Sequence, residues 1–308
     1  MRIVHARKRV FDRDNAFEHK FTLLVWVLSA LKWKEHGGEI VLYTDNITLE
    51  EIKKFGFETI YDEINTTYLE DKEVCKGIDF KCYWAMPKLL ALKHEVLDLG
   101  NDVVISDMDV VPMSDLSRLW TNSDIAVWSN KEFAEIRTIY PKLYELSLPK
   151  NYKLPKWFTG FAKPLNTGII HIRNKEIVDL FLNEAIKMSI DNHNEHNNSN
   201  CQTMCNVEQR LLGEIVQHKG LSYSVMQPIN EELFNRNGFH THGYKAKISN
   251  NSGKDWHCSI LKLIEQCDAN IYNKLIEHEW FKEEKEKIEN KEYTFNEKLH
   301  VYYREARQ

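Results

Sequence analysis

Cysteine is scarce in this chain, with 6 residues in 308. Cys75, Cys82, Cys201, Cys205, Cys258 and Cys267 are too few in a chain this long to make a small disulfide scaffold, so reduced thiols in a cytosolic protein are expected. Positive charge is not in excess: 41 Lys and Arg against 46 Asp and Glu leave a formal charge of −5. Without a global basic field, nucleic acid is not an expected partner. Long apolar runs are also missing. The run near the start, Phe21 to Leu31, falls well short of the about 20 residues needed to cross a bilayer. No basic-then-apolar leader follows Met1-Arg2-Ile3-Val4-His5, which reads as a strand. No internal repeat is visible. With 43% hydrophobic and 28% charged side chains, the composition excludes collagenous, low-complexity and largely disordered classes. The expected location is the cytoplasm, with peripheral contact at the inner membrane face left open.

The patterning alternates. Strands are expected at Ile3–His5, Glu39–Thr44, Phe57–Tyr61 and Asp102–Ser106. Between them, helices are expected over Glu18–Glu35, ended by Gly37-Gly38, and over Trp84–Leu97. Thr48 with Glu51 reads as a capping box for a helix running to Phe55. Such alternation implies βαβ units around a mainly parallel sheet, whose ligands sit outside the carboxyl ends of the strands. Further on, Asp124–Trp128, Thr167–Ile172 and Leu221–Met226 read as strands, and Lys175–Ser189 and Gln202–His218 as helices. Asp191–Asn200 is an Asn-rich loop, and Lys254–His257 a short strand or turn. Glu279–Arg307 is dense in Glu and Lys and reads as a solvated helix or arm that could touch a membrane or partner. The expected division is 1–112, which reads as a nucleotide-binding half, and 113–270 as the second half of the same domain, with 271–308 as a helical arm.

The most informative stretch is Val103-Val104-Ile105-Ser106-Asp107-Met108-Asp109. Strand alternation would put Asp107 and Asp109 on one side, with Met108 turned away. Two carboxylates so close repel unless a cation neutralises them, and hard oxygen ligands suit Mg²⁺ or Mn²⁺ completed by substrate phosphates. The same aspartates also read as turn or capping residues after a strand.

This segment resembles the DxD motif of GT-A-fold glycosyltransferases, which use nucleotide-sugar donors. The resemblance runs over roughly 1–265 in element order, although the motifs themselves are short. It implies a single Rossmann-like α/β domain with a mainly parallel mixed sheet flanked by helices, plus a helical C-terminal extension. It also implies that Lys88 contacts the nucleotide or diphosphate, where an exposed helix lysine is the plain alternative. Leu165-Asn166-Thr167-Gly168-Ile169 is similar to the family's strand beneath the donor sugar. There Gly168 permits close backbone approach, and Asn166 offers donor and acceptor groups to sugar hydroxyls.

Trp256-His257-Cys258-Ser259-Ile260-Leu261-Lys262 is similar to the His…Lys element of retaining glycogenin-like and lipopolysaccharide galactosyltransferases, without their central glycine and following Pro-Trp. That similarity implies His257 in the metal shell and Lys262 on the diphosphate. Glu208, in Asn206-Val207-Glu208-Gln209, is similar to the family's donor-face acidic residue. It would serve as base or cation stabiliser, or simply as a first-turn glutamate favoured by the helix dipole. Asp45, ending its strand, is placed for nucleoside contact by analogy alone.

The activity implied is metal-dependent transfer of a hexose-type sugar from a UDP-sugar to a saccharide or lipid-linked acceptor, in surface polysaccharide synthesis. A non-catalytic carbohydrate- or protein-binding module is the alternative. A sugar-nucleotide pyrophosphorylase is disfavoured because Val4-His5-Ala6-Arg7-Lys8 has no Gly-rich loop. His193, His196, Cys201 and Cys205 form a loose rival zinc set. Lys150–Phe158 interleaves basic and aromatic residues that suit an acceptor cleft or a packed loop.

Overall fold

The computed structural model describes residues 1–9, 19–116, 118, 120, 122–130, 148–192, 200–226, 234–235, 238–240 and 253–295. The chain opens with β1 (Arg2–Arg7), α1 (Lys20–Glu35), β2 (Glu39–Thr44), α2 (Asn46–Phe55) and β3 (Glu63–Asn65). Then come α3 (Met86–Lys93), β4 (Val103–Ser106), β5 (Val110–Pro112), β6 (Ile125–Ser129), β7 (Asn166–Ile172) and α4 (Lys175–Ser189). A continuous helical stretch follows: α5 (Asn200–Cys205), a π-helical turn (Asn206–Arg210) and α6 (Leu211–Lys219). The described chain closes with β8 (Tyr223–Val225), β9 (Phe234–Asn235), β10 (Gly238–His240), α7 (Gly253–Cys267), α8 (Ala269–Glu277) and α9 (Lys282–Glu289).

Seven strands form the central sheet in the order β3-β2-β1-β4-β7-β6-β8. Pairing is parallel from β3 to β4 and between β6 and β8, while β7 runs against both neighbours. A small sheet, β5-β10-β9, stands apart. This is the mixed α/β domain expected, a seven-stranded sheet flanked by helices. After β1 the chain moves outward to β2 and β3, then returns to place β4 on the other side of β1. That reversal is a topological switch point, where open α/β sheets form a crevice outside the carboxyl ends.

Strand alternation divides the core between the sheet's two faces. Ile3, Ile40, Leu42 and Val104 pack with α1 and α7, whereas Val4, Val41, Val103 and Ile105 pack with α3, α4 and α6. Helix α1 is buried from Phe21 through Trp33 because it lies between the sheet and α7. A helix apolar all round needs such a sandwich, which accounts for the apolar run near the start. Among the described residues no helix is long and apolar enough to cross a membrane.

Several local expectations are corrected. Asp45, not Thr48, caps α2: its Oδ1 accepts from the Thr48 backbone N–H at 2.6 Å. The 57–61 segment forms a 3-10 turn over Glu58–Ile60, with the strand displaced to Glu63–Asn65. Lys254–His257 lies in helix α7. Beyond Glu279 the chain is not simply solvated, since Phe281 and Glu284 are buried. Among the described residues, Cys75, Cys82, Cys205, Cys258 and Cys267 form no disulfide. His193, His196 and the Cys201 side chain lie outside the described residues.

Candidate active site

Strand β4 ends at Ser106, so Asp107 leaves the sheet at the carboxyl edge beside the switch point. The chain does not continue extended. Val110 N–H closes onto the Asp107 carbonyl at 3.1 Å, making 107–109 a turn before β5. The two aspartates are therefore set by turn geometry, and the simple strand alternation expected for them does not apply. The Asp107 N–H donates to the Gly168 carbonyl at 2.8 Å, which fastens this turn to β7.

Lys88 links three separate segments. Pro87 suits the first turn of α3, where its missing N–H costs no helical bond. One residue on, the Lys88 side chain runs inward with only 5% of the residue exposed. Its Nζ donates to Asp107 Oδ1 at 2.7 Å and to the Thr167 carbonyl at 2.9 Å, and it ion-pairs with Glu208 Oε1. An ammonium carries three protons, and these three oxygens match that number. Burial alone would lower the Lys88 pKa, but the Asp107 and Glu208 charges overcome it and raise it. Lys88 is thus a fixed buried cation that positions two carboxylates. It is not an exposed helix lysine.

Glu208 lies in the π-helical turn, a type of irregularity frequent at functional sites. Burial drives its pKa up, and the nearby Asp107 charge adds to this while Lys88 opposes it. One ammonium cannot neutralise two carboxylates, and Glu208 is the more deeply buried of the two. Gln209 of the same turn accepts the Leu165 N–H through its carbonyl at 3.1 Å, which joins the turn to the start of β7. There, Asn166 Oδ1 accepts from the Gly168 N–H at 2.9 Å, so this oxygen shapes the strand's own start.

The structure therefore brings together Lys88, Asp107, Glu208, Asn166 and Gly168. It does not assemble Asp45, His257 or Lys262 with them. Asp45 Oδ1 caps α2 and Oδ2 accepts from the Arg9 N–H, so this carboxylate is occupied by backbone. His257 Nδ1 pairs with buried Glu284 at 3.1 Å, at the start of α1, where Lys20 meets the same carboxylate. Lys262 pairs with Glu265 in its own helix and lies 5.8 Å over the Tyr272 ring. Among the described residues no group of three or more His, Cys, Asp or Glu side chains is placed to hold a metal ion. Asp107 and Asp109 suit a hard dication in donor chemistry and meet the one-or-two-carboxylate requirement of Mg²⁺. They would do so without His257.

Sequence reasoning missed two participants. The Thr167 carbonyl has no side-chain signature. His5 is fully buried on β1, and among the described residues neither ring nitrogen has a hydrogen-bond partner. Burial pushes its pKa down to about 3 against the opposing charge of Asp109. Its place beside Ile3 on the α1 face was available from strand alternation.

Fold and site together define an α/β protein whose buried charge cluster lies at the switch point of a mixed sheet. The chain belongs to a family of unknown function, DUF6734, which matches residues 5–278. No curated protein matches it. Among solved structures, the apo form of mouse xyloside xylosyltransferase 1 is similar at 10% identity and a TM-score of 0.38. That similarity covers 80% of this chain and 91% of the other.

Proposed function

We propose that this protein transfers a hexose-type sugar from a nucleotide-diphospho-sugar, in the simplest case a UDP-sugar, to a saccharide or lipid-linked acceptor. Surface polysaccharide synthesis is the setting that suits such a reaction. The observation carrying this reading is the emergence of Asp107 and Asp109 at the carboxyl end of β4, beside the β1/β4 switch point. Open α/β sheets bind nucleotides in that crevice.

The divalent ion would be Mn²⁺ or Mg²⁺ held by Asp107 and Asp109, and when bound it supplies positive charge to the departing diphosphate. Lys88 holds Asp107 in place from beneath, and its ammonium also restrains Glu208. Glu208 is a buried carboxyl with raised proton affinity, suited to take the proton of an acceptor hydroxyl. Asn166 and Gly168 bring the β7 backbone against the same turn, which suits them to orient the donor sugar. Residues 1–112 would bind the nucleotide, and 113–270 the sugar and acceptor.

The test is calorimetry with UDP in the presence and absence of Mn²⁺, followed by turnover of Asp109→Asn. Metal-dependent UDP binding is expected. The variant should lose on the order of 10²–10⁴ in rate, about 3–5 kcal/mol, with its thermal transition intact. Near-normal turnover by this variant at saturating Mn²⁺ removes the reading. Metal-independent binding of free sugars without UDP favours a carbohydrate-binding module instead.

A further inference from the structure

Trp157 and Phe158, which end the basic and aromatic stretch Lys150–Phe158, are packed. Phe158 is buried, and Trp157 stacks on His218 with ring centroids 5.3 Å apart. Three residues further on, Phe161 is 90% exposed, against 53% for Leu99, the next most exposed large apolar residue among those described. Exposing a whole phenyl ring forgoes the burial that normally stabilises it.

The loop carrying this ring is held firmly. Buried Glu214 accepts from the Thr159 N–H at 2.8 Å, the Thr159 hydroxyl at 3.0 Å and the Ala162 N–H at 3.1 Å. Within the loop, the Phe161 N–H donates to the Thr159 hydroxyl at 3.1 Å, and Gly160 takes the left-handed conformation at φ 76°. Helix α6 presses directly on the loop backbone, since a Cβ at Gly213 would lie 2.1 Å from the Lys163 carbonyl oxygen. The helical stretch carrying Glu208 therefore also carries the Gly213-Glu214 brace. The braced loop leads within five residues to Asn166 of the candidate site. Phe161 is presented by a rigid support continuous with the cluster at the switch point.

We infer that Phe161 is the stacking platform for the pyranose ring of the acceptor saccharide. The apolar C–H face of a pyranoside matches an exposed phenyl ring, while sugar hydroxyls remain free for polar partners. The identity of this occupant rests on the transferase reading, but the platform can be tested without any transfer reaction.

The experiment is saturation-transfer difference NMR on the full chain. The probes are methyl β-D-xylopyranoside, methyl β-D-glucopyranoside and methyl β-D-galactopyranoside, with UDP titrated separately by calorimetry. At least one glycoside should give ring-proton signals with the unaltered protein. Phe161→Ala should weaken its binding on the order of tenfold, Phe161→Trp should retain it, and UDP affinity should stay unchanged in both. Equal glycoside binding by Phe161→Ala and the unaltered protein overturns the platform, as does absence of signal from all three probes. Loss of UDP and glycoside binding together in Phe161→Ala also overturns it. Phe161-dependent glycoside binding by a protein that ignores UDP upholds the platform and removes the transferase reading.

Discussion

Two buried charge clusters in this molecule combine cationic groups and carboxylates in opposite proportions. At the start of α1, Lys20 Nζ at 2.8 Å and His257 Nδ1 at 3.1 Å share one carboxylate, that of Glu284. At the switch point, two carboxylates, Asp107 and Glu208, share the one ammonium of Lys88. Burial alone would raise the pKa of Glu284, but the hydrogen bonds with His257 and Lys20 overcome it and pull the carboxyl down to about 2. In the other cluster burial prevails, and the Glu208 carboxyl is pushed up. The first cluster fastens α9 and α7 to α1. The second leaves the buried Glu208 carboxyl with raised proton affinity. His257, expected in the second cluster, belongs to the first.

The largest effect should come from breaking the switch-point cluster at its cation. Lys88→Met removes the ammonium that Asp107 and Glu208 share, and breaking such a buried pair costs about 3–5 kcal/mol. Urea unfolding at pH 7 measures this. A loss under about 1 kcal/mol would mean that some other group already neutralises those carboxylates.

Glu284→Gln sharpens the contrast at the other cluster. Because the folded carboxyl lies below its ordinary value of 4.5, at about 2, its contribution is fully present above pH 4.5. It is lost as pH falls toward 2. The shift corresponds to about 3 kcal/mol. The Gln variant should be less stable by about that amount at neutral pH, and the deficit should shrink on acidification. Thermal unfolding followed from pH 7 to pH 3 reads both, and a deficit constant across that range contradicts the assignment.

The regular elements were legible because local signals agreed with tertiary demand. Helix α4 spans Lys175–Ser189 and β2 spans Glu39–Thr44, as periodicity and flanking residues indicate. The turn at 107–109 was not legible, because its closing bond from Val110 N–H to the Asp107 carbonyl involves backbone alone. Strand alternation assumes an extended chain, and the chain had already turned. At His257 a local motif outweighed the helical spacing of Trp256, Ile260 and Ile264, which pack against the core from α7. The site was legible as a set of residue types: Lys88, Asp107, Asn166, Gly168 and Glu208 do converge. A sequence does not reveal that three protein oxygens surround the Lys88 ammonium.

Asp45 provides the smallest and most discriminating test. Its position at the carboxyl edge of β2 suggested nucleoside contact, yet its oxygens meet the backbone N–H groups of Thr48 and Arg9. Both roles need a carboxylate-like oxygen, but only the cap is indifferent to charge. Asp45→Asn keeps an oxygen for the Thr48 cap but turns its NH2 toward the Arg9 N–H, and should lose about 1 kcal/mol, whereas Asp45→Ala loses both bonds and about 1–2 kcal/mol. UDP affinity measured on the Asn variant then separates the roles. Unchanged affinity keeps Asp45 with the structural charges, alongside Glu284. A marked loss with the cap intact would return it to the ligand side, alongside Asp107.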